Sequence, residues 1–291
     1  MAKNYNRKSP AFYGGGLDLQ AGANRGQVFY VNGTDWGDGD NANDGLRPDT
    51  PFLTLTYALA QCTSEEFDTI VVVDYWTPTG ETWPIAIDKD QVSIIGAPGG
   101  SFNRWACIHP AGDTAAFEVQ AMGVRIQDLY FDAGAAHAAI EFSGGKERTG
   151  IFNCNFMTGA RGITGVAGSP SFGVEIGNCF FSHSLTGGGI YLNNPAVSRI
   201  HDCTFDRVVG VAIEIVQAGH MQILDNRIGV DSDVQGRGIT LGASCARCLV
   251  DGNTANFGST AMAANPYLDS GGATDNDWLL NYRDITATLP A

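Results

Sequence analysis

Between Val124 and Thr254, apolar and polar positions recur in a six-residue phrase. An aliphatic residue leads, Asp or Asn stands two places on, a small residue or thiol usually follows, and an apolar side chain closes the phrase. It reads Ile126-Gln-Asp128-Leu129-Tyr-Phe131, Ile151-Phe-Asn153-Cys154-Asn-Phe156, then Ile176-Gly-Asn178-Cys179-Phe-Phe181. It continues as Ile200-His-Asp202-Cys203-Thr-Phe205 and Ile223-Leu-Asp225-Asn226-Arg-Ile228, and fades at Leu249-Val-Asp251-Gly252-Asn-Thr254. The leading aliphatics are 25, 25, 24, 23 and 26 residues apart. A repeat of that period marks stacked units, none of which buries its apolar face alone.

Each unit carries a second apolar triplet of period two: Ile140-Glu-Phe142, Ile190-Tyr-Leu192, Ile213-Glu-Ile215 and Ile239-Thr-Leu241. Such alternation predicts strands with one buried face, which leaves Glu141, Thr164, Tyr191, Glu214 and Thr240 pointing outward. Glycine-rich corners such as Gly187-Gly-Gly189 and Gly236-Arg-Gly238 separate the strands. No unit has room for a crossover helix, so each coil must pair in parallel with the next. Ahead of the repeat, Val28–Val31 and Ile70–Val73 read as strands. Leu55, Ala58, Leu59 and Cys62 fall at helical spacing from about Thr54. An irregular turn containing Trp105 follows Val92–Ile95.

Composition agrees with this picture: 38 glycines, 16% charged and 44% hydrophobic residues suit many short strands with tight corners. No apolar run is long enough to span a membrane, and no apolar segment follows the basic N-terminus as a secretory signal would require. Cys154, Cys179 and Cys203 share one repeat position and read as small buried groups of a chain made in a reducing compartment. Cys245 and Cys248 form a C-x-x-C pair with no second pair to complete a zinc site, so no metal and no cofactor are expected. Asp35, Asp38, Asp40 and Asp44 lie in one loop but break the EF-hand spacing, which favours turn chemistry over calcium. The net charge of −14 argues against nucleic acid as a ligand. It is unevenly placed: residues 1–26 hold four basic residues against Asp18, a net of +3, which leaves −17 on the remainder.

The coil of about 25 residues, with stacked aliphatic, Asx and Phe positions, resembles the right-handed parallel β-helix of the pectate-lyase-like superfamily. The opening is similar too: a Tyr-Val-Asn strand, Asn43-Asp44-Gly45, Pro48-x-Thr50-Pro51-Phe52, then Thr54-Leu55 and Ala58. The resemblance implies an all-β, single-stranded parallel β-helix capped by a short N-terminal helix. On this reading residues 1–26 are an extended arm, 27–265 the capped helix, and 266–291 a C-terminal extension over its open end.

The search for chemistry is less productive. Glu141 and Glu214 stand three coils apart, roughly 14 Å at 4.8 Å per coil, beyond the ~5–9.5 Å of paired glycosidase carboxylates. Glu175 and Arg199 read as a surface ion pair. The sharpest candidate set is the column Asp202, Asp225 and Asp251, flanked by His201, Arg207 and Arg227. It reads first as the corner ladder continued, because the resemblance's motifs for polygalacturonase-type hydrolases and for lyases are missing. The expectation is therefore a protein without enzymatic activity: a bacteriophage structural component of the head-decoration or spike kind, trimeric and located on the virion after synthesis in the host cytoplasm. Its arm (Lys3, Tyr5, Arg7, Lys8, Phe12, Tyr13) would hold other virion proteins, with Trp278, Leu279, Leu280 and Tyr282 as a C-terminal contact. A host surface glycan is its possible ligand. The alternative is a polysaccharide lyase or glycoside hydrolase using Asp202, Asp225 and Asp251 with His201 and Arg227.

Overall fold

The computed structural model describes residues 26–33, 38–75, 77–97, 106–143, 147–165, 171–230, 237–257, 266–270, 275–283 and 286–287. The expected arm, Asp35 and Trp105 lie outside them. The described residues form a parallel β-solenoid with three faces. Sheet 1 takes Val28–Gly33, Thr69–Tyr75, Ser93–Gly96, Arg125–Gln127, Gly150–Phe152, Glu175–Gly177, Arg199–His201, Gln222–Leu224, Leu249–Asp251 and Asp277–Trp278. Sheet 2 runs from Ala106–Ile108 and Leu129–Asp132 through Asn155–Thr158 to Tyr282–Arg283. Sheet 3 contains Ile85–Ile87, Phe117–Val119, Ala138–Phe142, Arg161–Gly165, Gly188–Leu192, Val211–Gly219, Arg237–Ala246 and Tyr267–Asp269.

The repeated phrase straddles a corner. Its leading aliphatic lies in sheet 1, where Ile126, Ile151, Ile176, Ile200 and Ile223 pair in register, all fully buried. Its closing aromatic lies in sheet 2. There Phe131, Phe156, Phe181 and Phe205 stack near-parallel at centroid distances of 5.2, 4.8 and 4.5 Å. Burying each such side chain contributes ~1.5–3 kcal/mol. Between the two strands the Asx residue turns the chain in the left-handed region: Asp128, Asn153, Asn178, Asp202 and Asp225 have φ between 52° and 56°. Asx side chains tolerate that backbone where most others do not.

The sixth coil departs from the expected column. Val250, not Leu249, pairs with Ile223, and Asp251 pairs with Leu224. Gly252 therefore takes the corner with φ 68°. Glycine is required there on two counts, since an added Cβ would lie 2.1 Å from Asp225 Oδ1. A second left-handed corner precedes sheet 1, at Arg148, Gly173, Val197, His220 and Arg247, with φ between 49° and 70°. No single residue type holds these five positions, so no sequence pattern announces it.

The thiol position after the first corner points inward. Cys154, Cys179 and Cys203 stack there, and Asn226, Asn253 and Asn281 continue the file with amide-to-amide hydrogen bonds of 2.9 Å between successive coils. The helix Leu55–Gln61 closes the N-terminal end as expected. Thr54 Oγ1 caps it by accepting from Tyr57 N at 3.2 Å, and Leu55, Ala58 and Leu59 are buried. At the other end, Tyr267–Asp269, Asp277–Trp278 and Tyr282–Arg283 pair onto sheets 3, 1 and 2 in turn. The segment expected to lie across the end builds a further coil instead, because Tyr267, Trp278 and Asn281 supply its inward side chains. Thr286–Ala287 then folds back antiparallel on Tyr282–Arg283, covering part of an exposed edge.

Candidate functional site

The outward row of sheet 3 brings together the densest set of chemical groups. Parallel register aligns Glu118, Glu141, Thr164, Tyr191, Glu214 and Thr240 on successive coils. Glu118 and Glu141 are direct neighbours, so their Cα atoms lie about 4.8 Å apart. Like charges directly opposite on neighbouring strands are destabilising, and nothing in the inward packing demands them. His137 Nδ1 lies 3.4 Å from Glu141 Oε1. From the next coil, Arg161 Nη1 reaches across two coils to donate to Glu214 Oε2 at 3.0 Å while its guanidinium covers the Tyr191 ring at 4.8 Å. Glu141, Arg161 and Glu214 retain only 31%, 25% and 29% side-chain exposure. At the corner leading into the same coils, Asp132 Oδ2 meets His109 Nδ1 at 3.1 Å, and Thr158 Oγ1 donates to Asp132 Oδ1.

The aspartates favoured by the sequence do not make a column of three: Asp202 and Asp225 hold the same corner on successive coils, and Asp251 does not. His201 is held between two carboxylates, Asp202 Oδ2 at 2.7 Å and Glu175 Oε1 at 3.1 Å, which occupies both ring nitrogens. Arg199 Nη1 stands 3.9 Å from Glu175, as the expected ion pair. Asp225 and Arg227 line a shallow open depression with Asn226, Gly252 and Thr254. Asp251 is displaced from the column by the register described above, and its Oδ1 accepts from Leu280 N at 3.0 Å. The three aspartates thus do not converge on one point. Arg207 turns away to Asp206 at 3.4 Å.

Elsewhere, Asp40 and Asp44 serve their loop. Asp40 Oδ1 accepts from Ala42 N at 2.9 Å; Asp44 Oδ1 accepts from Thr50 Oγ1 at 2.6 Å and from Leu46 N at 3.2 Å. The Thr50 hydrogen bond, foremost, holds the Asp44 carboxyl below its usual range. Among the described residues, no three His, Cys, Asp or Glu side chains converge as metal ligands, and no helix is long and apolar enough to cross a membrane. Trp278 lies inside the last coil, 5.9 Å from the Tyr267 ring, whereas Leu279, Leu280 and Tyr282 are exposed.

With three parallel sheets in register, the comparison with known proteins is direct. The profile of the right-handed β-helix region matches residues 116–269. The chain belongs to the right-handed β-helix family. No curated protein matches it by sequence. Among solved structures, this β-helix is similar to the native GH136 lacto-N-biosidase from Eubacterium ramulus (12% identity, TM-score 0.59, covering 86% of this chain and 55% of that one). It is also similar to a rhamnogalacturonan lyase (12%, TM-score 0.54, 80% and 69%) and to pectate lyase Pel9A (12%, TM-score 0.51, 91% and 82%). The chain therefore spans about half the length of the lacto-N-biosidase. At such identity the likeness establishes the shared fold. All three neighbours are enzymes, which corrects the expectation of a protein without enzymatic activity: the fold this chain shares with them is one that enzymes use.

The sequence reading missed Glu118 and so missed the pair. Glu118 sits before Val124, in a coil whose phrase is interrupted. The available signal was Phe117-Glu-Val119, a triplet of the same form as Ile140-Glu-Phe142.

Proposed function

We propose that the protein cleaves a neutral glycan bound along the outward row of sheet 3, with Glu118 and Glu141 as the working carboxylates. The observation that supports this reading is their register: Glu118 and Glu141 stand side by side on adjacent strands, about 4.8 Å apart at Cα, a backbone spacing from which two glutamate side chains can set the ~5–5.5 Å carboxyl separation of retaining glycosidases. Glu141, oriented by His137, attacks the anomeric carbon. Glu118 protonates the departing glycosidic oxygen, then deprotonates the water that releases the sugar. Further along the row, Thr164 and Tyr191 supply hydroxyl groups for neighbouring sugar units. Three glutamates against one arginine, itself paired with Glu214, disfavour a polyuronate by repulsion, as does the net charge of −14.

The test is product formation on a panel of neutral and uronate-containing oligosaccharides. Neutral substrates should be cleaved, and Glu118→Gln and Glu141→Gln should each lower kcat/KM by about 10²–10⁴-fold, with Asp225→Asn unchanged. Cleavage that survives both glutamine variants and vanishes in Asp225→Asn would transfer the activity to the corner aspartates.

A second reading concerns location. The contrast between the +3 arm and the −17 remainder supports a virion component, of the head-decoration or spike kind, held through Lys3, Tyr5, Arg7, Lys8, Phe12 and Tyr13. A spike that processes host glycans joins both readings. Removing residues 1–26 should release the protein from such a particle while the β-helix stays folded, and retention without the arm refutes it.

A further inference from the structure

Cys245-Ala-Arg-Cys248 has no part in the proposed chemistry, and its placement differs from that of every other thiol in the described residues. Cys245 lies near the end of Arg237–Ala246 in sheet 3, and Cys248 directly precedes Leu249–Asp251 in sheet 1. Arg247, at φ 55°, turns the chain between them so that both side chains enter the interior. The two thiols thus face the interior from either side of a single two-residue turn. By contrast, Cys154, Cys179 and Cys203 belong to three different coils; all five sulfurs lie against backbone carbonyls, at 3.3–3.4 Å in the ladder and 3.6 Å in the pair. Cys62 stands apart at the end of the N-terminal helix.

The last coil closes over the pair. Asn276 Oδ1 accepts from Cys248 N at 3.0 Å, and Asn276 Nδ2 donates to Cys245 O at 3.1 Å. Asp269 Oδ2 accepts from Asn276 Nδ2 at 3.0 Å and from Trp278 Nε1 at 3.2 Å, tying Tyr267–Asp269 to Asp277–Trp278. These are terminal strands, and terminal coils of a solenoid open at lower free energy than central ones. Opening that coil is the route by which a small reagent reaches the sulfurs.

We propose that Cys245 and Cys248 are a dithiol site that closes to an intramolecular disulfide by exchange with a low-molecular-weight disulfide. The Cys248 thiolate attacks one sulfur of the reagent and expels the other half as a thiolate, leaving a mixed disulfide on Cys248. The Cys245 thiol passes its proton to that expelled thiolate. Its sulfur then attacks Cys248 Sγ, releasing the second half, which takes up a proton. One external disulfide is reduced to two thiols while the protein's two thiols are oxidised to one disulfide. The environment agrees with that order: the neighbouring Cys245 thiol brings Cys248 down to about 7, while Cys248, then burial, push Cys245 up. In the ladder the direction reverses, since burial pushes the Cys179 and Cys203 thiols well up.

The test exposes the full-length protein to excess glutathione disulfide at pH 8, blocks remaining thiols after denaturation, and maps the cysteine peptides by mass. The expected result is loss of two hydrogens from the peptide holding Cys245 and Cys248, with the Cys154, Cys179 and Cys203 peptides fully alkylated. Cys245→Ser should accumulate glutathione on Cys248, and Cys248→Ser should accumulate none. Hydrogen exchange should slow at 275–282 in the oxidised form. Full alkylation of both residues after exposure just below the melting temperature overturns the proposal, as does glutathione trapped on Cys245 in Cys248→Ser. Where a serine variant melts early, the wild-type peptide map alone decides between these outcomes.

Discussion

Replacing Asn253 by alanine probes the polar file inside the C-terminal coils. Asn253 is fully buried. Its Oδ1 accepts from Asn226 N at 3.0 Å and from Asn226 Nδ2 at 2.9 Å. Its Nδ2 meets Asn281 Oδ1 and Ile223 O, both at 2.9 Å, and Asp251 O at 3.0 Å. Some of these partners have substitutes: Asn226 Nδ2 keeps Ile200 O at 3.2 Å, and Asn281 Oδ1 keeps Asn253 N at 3.1 Å. The Asn226 N–H, however, loses its acceptor in the dry interior. Each buried group left unsatisfied costs about 1–3 kcal/mol, and the vacated volume adds to that. With one or two groups orphaned, Asn253→Ala should destabilise the chain by about 2–5 kcal/mol. At roughly 2 °C per kcal/mol for a chain of this size, the melting temperature should drop by about 4–10 °C. Cys179→Ala, at the same place in a thiol coil, loses only weak sulfur contacts at 3.4 and 3.7 Å and should cost on the order of 1 kcal/mol. Because coils contact only their neighbours, hydrogen exchange should accelerate around 223–282 and stay unchanged around 94–131. A melting point within about 1 °C of wild type, or a loss no larger than that of Cys179→Ala, would refute this reasoning.

Two further outcomes follow from the same packing. In Gly177→Ala the new methyl would lie 2.7 Å from both Cε1 and Nε2 of His201, so the imidazole must leave Glu175. A thermal melt should show about 1–3 kcal/mol lost, while Gly219→Ala, whose added methyl meets nothing within 4 Å, serves as the neutral control. The Cys62 thiol is pushed up to about 12, chiefly by burial. Its contribution to stability is full below the ordinary thiol range near 9 and is lost as pH rises towards about 12, because the unfolded chain releases that proton first. Cys62→Ala should flatten the alkaline arm of a denaturation-against-pH curve, and an unchanged slope would contradict the assignment.

How far the molecule was legible beforehand depends on where each signal resides. The inward ladders were readable because they repeat at fixed offsets within a coil: Ile151 predicts Ile176, and Phe156 predicts Phe181. The Asx corner was readable for the same reason, up to Asp251. There one added residue moved the left-handed position to Gly252, and pattern matching followed the aspartate where the backbone required the glycine. The C-terminal segment lacked the phrase, so its coil was invisible until Tyr267 and Trp278 were seen to fill the bore.

The candidate site was less legible because it is built from outward residues, on which inward packing places no constraint. Arg161 and Glu214 are 53 residues apart in sequence yet 3.0 Å apart in space, bridging over Tyr191. Glu118 and Glu141 meet only because Phe117–Val119 pairs in register with Ile140–Phe142 on the next coil. By itself the sequence determined the coil, its inward stacks and its left-handed Asx turns, since these rest on periodicity and local backbone preference. Which outward side chains face one another was decided by the tertiary structure alone, because corner lengths vary from coil to coil and register is set by closure of the whole turn.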